Sequence, residues 1–550
     1  MSKTVARPWL TRASLILCLG IIGMALLGWR TTVIANVHVP ASPQIRASSG
    51  IFWPASQALP TFAQPQALDV AQLNNVPGDI DLLFSTLEGV VNRSQPRIYL
   101  VENQPREGAT TWLQTLAVPA TFHTDPWDIV SKYTHEVRGM IVYDPRVADS
   151  INVATTLAGL EGGVVASPRL IQRLKDQYHL PLLNDLRGKF ANNLAANIWQ
   201  IHNLWPRTTH RLLIGLSPMS LDNRASEGYG PSGYLRDYAV ANRALVCWLP
   251  IMQPATALLF RQLLASVRPG TPYLGWFDSE SRGVRMASAY GVYTLAADFF
   301  SNMTVFSGVR TALPGVQTLS APALKKKIYV TITVSEGDNL QYDQHAMRVL
   351  WNSPGRGSVP LNWTVSPLLA DVAPAILSYY EQTATRNDLL ISGPSGAGYY
   401  YPSEWPIGNL NSFLRQSNTY LARTGLHVIF YLNDNQNLPR AVTQLRSART
   451  QGILLNWFYA RTTTRIGAGQ VPVSTQITGE SRVGLLRAIR NNAAGWNGKA
   501  PLFIAALAVA WKLTPADIAY VVEHLGPNFV VVRGDQYFQL IRRAYHLPAA

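Results

Sequence analysis

The sequence predicts an α/β protein: a C-terminal (β/α)8-like barrel, regular or distorted, preceded by a separate α/β region. Three observations carry this. From residue 321 onward, short apolar or β-branched runs recur at 328–334, 361–365, 389–392, 428–432, 453–457, 471–475, 502–506 and 529–532, mostly with a helix-like segment between them. Eight such units in about 230 residues come near the ~250 typical of a (β/α)8 barrel. Between 68 and 320, runs at 97–101, 139–143, 211–216 and 244–249 alternate with helical patterns, which implies layered α/β structure. At 550 residues the chain also exceeds what one hydrophobic core serves.

Taken in order, the chain opens with Lys3, Arg7 and Arg12, then an uncharged apolar run over 13–29 and Arg30. This is an export signal, with Val33-Ile34-Ala35 as a cleavage site, or a membrane anchor. Residues 36–67 are rich in Pro and Ala and read as a spacer, so the N-terminal α/β domain spans 68–320 and the barrel domain 321–550. Cys18 lies in the leader, leaving Cys247 alone in an apolar run as a buried thiol. Apolar residues make up 47% and charged residues 14%, which excludes a disordered chain. The net charge of +15 falls by four, to +11, without the leader cations, and the rest is spread out. No Lys/Arg block interleaved with aromatics argues for nucleic acid.

If the barrel forms, its site lies in the loops after the strands' C-terminal ends. Polar residues recur there. Glu336, Asp338 and Asn339 follow the first strand, Gly396–Pro402 and Glu404 the third, Asn433 and Asp434 the fourth, while Asn456 and Trp457 end the fifth and Asp535 follows the eighth. Asp535 reads as the cap of the last helix. Gly396 and Gly398 free the backbone for a close approach, Pro402 stiffens the loop, and the tyrosines between would be displayed. Two carboxyl groups suit glycosidic cleavage, one donating a proton and one attacking or activating water. Glu336 and Asp338 are the first candidates, with Asp434 or Glu404 as a partner across the cleft. Tyr399, Tyr401 and Trp457 would stack on sugar rings, and Asn339, Gln341, Asn433 and Asn456 would bond hydroxyls. Two alternatives stand beside this: Asp338 or Asn339 as a helix cap, and Glu336 with Asp338 as oxygen ligands for Ca²⁺ or Mg²⁺.

The string Gly396-Ala397-Gly398-Tyr399-Tyr400-Tyr401-Pro402, with Glu336-Gly337-Asp338-Asn339-Leu340-Gln341, resembles the GxGYxYP putative glycoside hydrolases. Leu87-Glu88-Gly89-Val90-Val91-Asn92-Arg93 is similar to the start of that family's N-terminal region. The resemblance implies a barrel-like catalytic domain, a polysaccharide or glycan substrate, and a place for the segment 275–280, including Glu280, facing the site. It leaves two functions open: an exported glycosidase, or a cell-surface glycan-binding or envelope-assembly protein without turnover.

Overall fold

The computed structural model describes residues 50–74, 76–101, 108, 110–219, 231–432, 450–455 and 459–550. The apolar run 13–29, Asn433, Asp434, Asn456 and Trp457 lie outside them. Among the described residues, no helix is long and apolar enough to cross a membrane.

The N-terminal region holds three separate parallel sheets. The first comprises Leu68–Gln72, Ile98–Val101 and Ala120–His123; the second Met140–Val142, Val164–Ala166 and Leu182–Asp185; the third Leu213–Gly215, Val246–Cys247, Pro272–Gly275 and Tyr293–Leu295. In each, the strand that comes first in sequence lies between the second and the third. Most of these short runs are buried on both faces, as parallel strands covered by helices must be, while the edge strands Ala120–His123 and Leu182–Asp185 are partly exposed.

The spacer expected over 36–67 does not describe its second half. From Gly50 the chain is folded: Ile51–Phe52 pairs antiparallel with Thr61–Phe62, and Leu59 and Phe62 are fully buried. The Ala58 amide donates to the Tyr420 hydroxyl at 2.8 Å. A Pro-rich segment without periodicity can still pack when its few large apolar side chains find a core.

All eight C-terminal strands form: Ile328–Val334, Leu361–Val365, Asp388–Ser392, Val428–Tyr431, Gly452–Leu455, Pro472–Gly479, Leu502–Ala508 and Phe529–Val531. The first seven close a parallel ring, the seventh pairing with the first over residues 328–334 and the first with the second through Thr333 and Val334. The eighth does not enter between the seventh and the first. It pairs only with Ile328, Tyr329 and Val330, on the edge of the first strand that also carries the second strand, and so forms a wedge at the base. Between the fifth and sixth strands, Thr464–Ile466 pairs antiparallel with the sixth, in the Thr/Gly-rich stretch where the helical pattern fails.

The last helix, Gly534–Ala544, closes that base. Phe538 occupies the space left by Gly452, where a Cβ would come within 2.2 Å of its ring, and the Tyr537 hydroxyl reaches Ser474 at 3.2 Å. Asp535 therefore lies at the end of the barrel opposite the expected site. It does not cap the helix: Arg533 flanks the helix start, and Asp535, in the first turn, pairs with Arg533 and accepts from the Leu319 amide at 2.8 Å.

Candidate active site

The turn after the first strand is held from three sides. The Ser335 amide donates to the Ala508 carbonyl at 3.2 Å, while the Ser335 hydroxyl accepts from the Ala510 amide at 3.2 Å, tying the turn to the end of the seventh strand. The Gly337 amide donates to the Thr364 hydroxyl at 2.8 Å, tying it to the second. Gly337 and Gly393 make this convergence sterically feasible. A Cβ on Gly337 would fall 2.0 Å from the Thr364 carbonyl, and one on Gly393 2.5 Å from the Asp338 amide nitrogen. Between them Glu336 takes φ = +87°, a conformation a side chain adopts only when its surroundings enforce it.

This backbone brings Glu336 and Asp338 into one electrostatic unit with Glu280 from the N-terminal region. Burial pushes Asp338 well above the ordinary carboxylate range, and Glu336 and then Glu280 push it further. Among the described residues, its carboxyl receives no side-chain hydrogen bond. Burial raises Glu336 too, but hydrogen bonds from Ser335 (2.9 Å) and Trp511 oppose the rise. The two acids thus differ in the donors available to their ionised forms. Behind them, buried Asp343 accepts from the Ser366 amide at 3.1 Å through one oxygen, and the other has no hydrogen-bond partner among the described residues.

Glu280 opens the helix Glu280–Ala289, and the Tyr399 hydroxyl donates to it at 3.1 Å while meeting the Tyr401 hydroxyl at 3.2 Å. Of the implied segment 275–280, only this end faces the carboxylates. Asp278 turns away and accepts from the Ile251 and Met252 amides at 2.8 and 3.1 Å.

The tyrosine loop is not a displayed bank of rings. Its backbone pairs antiparallel with the third N-terminal sheet, Thr294 and Tyr399 exchanging hydrogen bonds of 2.9 and 3.0 Å, and the Tyr401 amide donates to the Ser288 hydroxyl at 2.9 Å. Tyr399 is 4% exposed and Tyr400 fully buried, so neither ring can stack on a sugar; Tyr399 offers its hydroxyl only. Tyr401 is half-buried beneath the Arg285 guanidinium, 4.6 Å from the ring centre. The glycines do take positive φ, +83° at Gly396 and +149° at Gly398, but the close approaches they allow are to Ser417 and Tyr293. These residues join two parts of the fold.

Three other candidates are occupied by structure. Asn339 caps the helix Leu340–Gln344, accepting from the Tyr342 amide at 3.1 Å. Gln341 accepts from the Phe299 amide and bonds Asp298. Glu404 pairs with Arg285. Among the described residues, no group of three or more His, Cys, Asp or Glu is placed to hold a metal ion.

Trp511 escaped the sequence reading. It lies three residues past the seventh strand, is 56% exposed, bonds Glu336 and meets the Tyr342 ring edge-on at 5.5 Å. Extending the seventh strand to Ala508 and reading the residues just after it would have found this ring.

The comparisons agree with this architecture. The model of the GxGYxYP putative glycoside hydrolase C-terminal domain matches residues 326–542, and those of the first, second and third N-terminal domains match 67–135, 137–208 and 224–308. A crystal structure of a putative hydrolase from Bacteroides thetaiotaomicron VPI-5482 shares the fold at 22% identity with a TM-score of 0.78, over 90% of this chain and 99% of that one. No curated protein matches the sequence. The chain belongs to the GxGYxYP putative glycoside hydrolase family.

Proposed function

We propose that this protein is an exported glycosidase in which Asp338 is the proton donor and Glu336 the nucleophile or base. The carrying observation is the asymmetry between two neighbouring carboxyls on one turn. Asp338 is raised by burial and by its acidic neighbours and accepts no side-chain hydrogen bond among the described residues, which favours its protonated form. Glu336 receives donors from Ser335 and Trp511, which favour its charged form. The first proton leaves Glu336, and Asp338 holds its own against that charge. Exposed Trp511 supplies a ring for the apolar face of a sugar, and Glu280, oriented by Tyr399, accepts from a hydroxyl. Export rests on the basic and apolar pattern of residues 1–30.

The test is release of reducing ends from polysaccharides and wall glycans by the parent, Asp338→Asn and Glu336→Gln, followed by aryl glycosides of graded leaving-group acidity on whichever sugar is cut. The asparagine variant retains activity toward the most acidic leaving groups, which need no proton, while the glutamine variant loses all substrates alike. Equal loss across the series for both variants would overturn the assignment of roles. Glycan binding without release by any form would favour a surface-binding protein instead.

A further inference from the structure

The third N-terminal sheet has a crevice of its own. Its spatial order places Leu213–Gly215 between Val246–Cys247 and Pro272–Gly275, with Tyr293–Leu295 outermost. Successive strands therefore run to opposite sides of the first, and open parallel sheets bind ligands outside the carboxyl ends of their strands where the order reverses. At that point Gly215 and Gly275 are partners in register, and neither has room for a Cβ: one on Gly275 would fall 1.9 Å from the Gly215 carbonyl oxygen. The crevice beyond is narrow and opens to solvent. Residues just past all four strand ends line it, among them Trp248, Trp276, Asp298 and Phe299, with Tyr234 and Arg236 from the first connection.

Two lining residues carry polar atoms with no hydrogen-bond partner among the described residues. Arg236 is fully buried; its Nη1 is held by Asn152 (3.1 Å) and Thr155 (2.7 Å) and its Nε by the Ser232 carbonyl (2.5 Å), and its charge is opposed by Asp81, but among the described residues its Nη2 has no hydrogen-bond partner. Oδ1 of Asp298 is likewise unpaired. A buried guanidinium N–H and a buried carboxylate oxygen left unsatisfied each cost stability that a ligand can return. The walls are four aromatic rings, Tyr234 and Phe299 meeting edge-on at 5.6 Å. One donor, one acceptor and apolar ring faces match a hydroxyl-bearing ring, and the carboxyl of Asp298 disfavours an anion. The crevice adjoins the barrel site on two sides: the Phe299 amide donates to Gln341, three residues after Asp338, and Trp276 precedes Glu280 by four.

We propose that this crevice is a second carbohydrate site, taking one neutral sugar unit of the same glycan that the barrel face cleaves; the choice of a sugar rests on the glycosidase reading above.

The test uses the full-length protein carrying Glu336→Gln, so that bound glycan is not cut, with cellohexaose, xylohexaose, mannohexaose and chitohexaose as neutral probes and hexagalacturonate as the anionic one, titrated by calorimetry. The expected result is binding of at least one neutral hexamer, weakened about tenfold by adding Trp276→Ala and again by Asp298→Asn, the cost of one lost ring or one lost hydroxyl contact. Trp248→Ala serves as a second ring variant if Trp276→Ala does not fold. Affinity unchanged within twofold in the ring variants, binding of hexagalacturonate alone, or binding of no glycan would each overturn the proposal. Trp276-dependent binding by a protein whose parent form releases nothing would sink the glycosidase reading and leave the site standing.

Discussion

The two ends of the barrel bury carboxylates in opposite ways. At the base, Asp388 is fully buried and accepts from Arg356 (2.6 Å), the Trp363 indole (2.9 Å), and the amide and hydroxyl of Thr385 (2.9 and 2.8 Å). Asp535 beside it is matched to Arg533, whose remaining N–H groups bond the carbonyls of Arg386, Asp388 and Gln317. At the opposite face, among the described residues, Asp338 has acidic neighbours and no side-chain donor, and Asp343 leaves one oxygen unpaired. Burial with every lone pair matched is a structural device. Burial among like charges costs stability and makes sense where the proton does chemistry.

The largest effect expected from this contrast is on turnover. Asp338→Asn lowers kcat by roughly 10²–10⁴-fold on unactivated substrates, the usual worth of a positioned acid, in a steady-state assay. The same variant behaves unusually in thermal melts. Because folding raises the Asp338 pKa above 3.8, its contribution to stability is full below that value and is lost as pH rises through the folded-state value. The asparagine variant should therefore melt above the parent at pH 8, with the gap closing toward pH 4; a parent more stable at pH 8 would break the comparison.

Asp388→Ala should behave in reverse, costing about 3–5 kcal/mol in urea unfolding because it strands Arg356 and the Trp363 indole. Gly337→Ala comes next, at roughly 1–3 kcal/mol, since a Cβ there must displace the Thr364 backbone, and the same shift moves Asp338 and lowers kcat. Smallest is Trp511→Phe, which keeps a ring and removes the donor to Glu336. The acidic limb of the pH dependence of kcat/KM should move upward by about one unit or less. Superposable profiles would remove Trp511 from the support of Glu336.

Much of the barrel was legible because apolar runs at regular spacing report burial, and burial on both faces is what parallel strands require. All eight predicted runs became strands, and Glu336 and Asp338 fell at the strand end where an acid pair was expected. The neighbours were not legible. Asn339 looks the same on paper whether it caps a helix or meets a sugar, and Tyr399 the same whether its ring is displayed or buried. Asp535 was assigned to the wrong end because strand order was assumed, and the eighth strand reaches only Val330.

By itself the sequence determined the number and order of the elements, the family, and the turn that bears the acids, since these depend on local patterning and on a contiguous string of residues. Only the tertiary structure decided what each acid is for. That depends on which donors reach each carboxyl, and the donors come from far along the chain: Trp511 reaches Glu336, and Tyr399 reaches a helix begun by Glu280. Electrostatic environment is a property of packing, and packing is set by the whole fold.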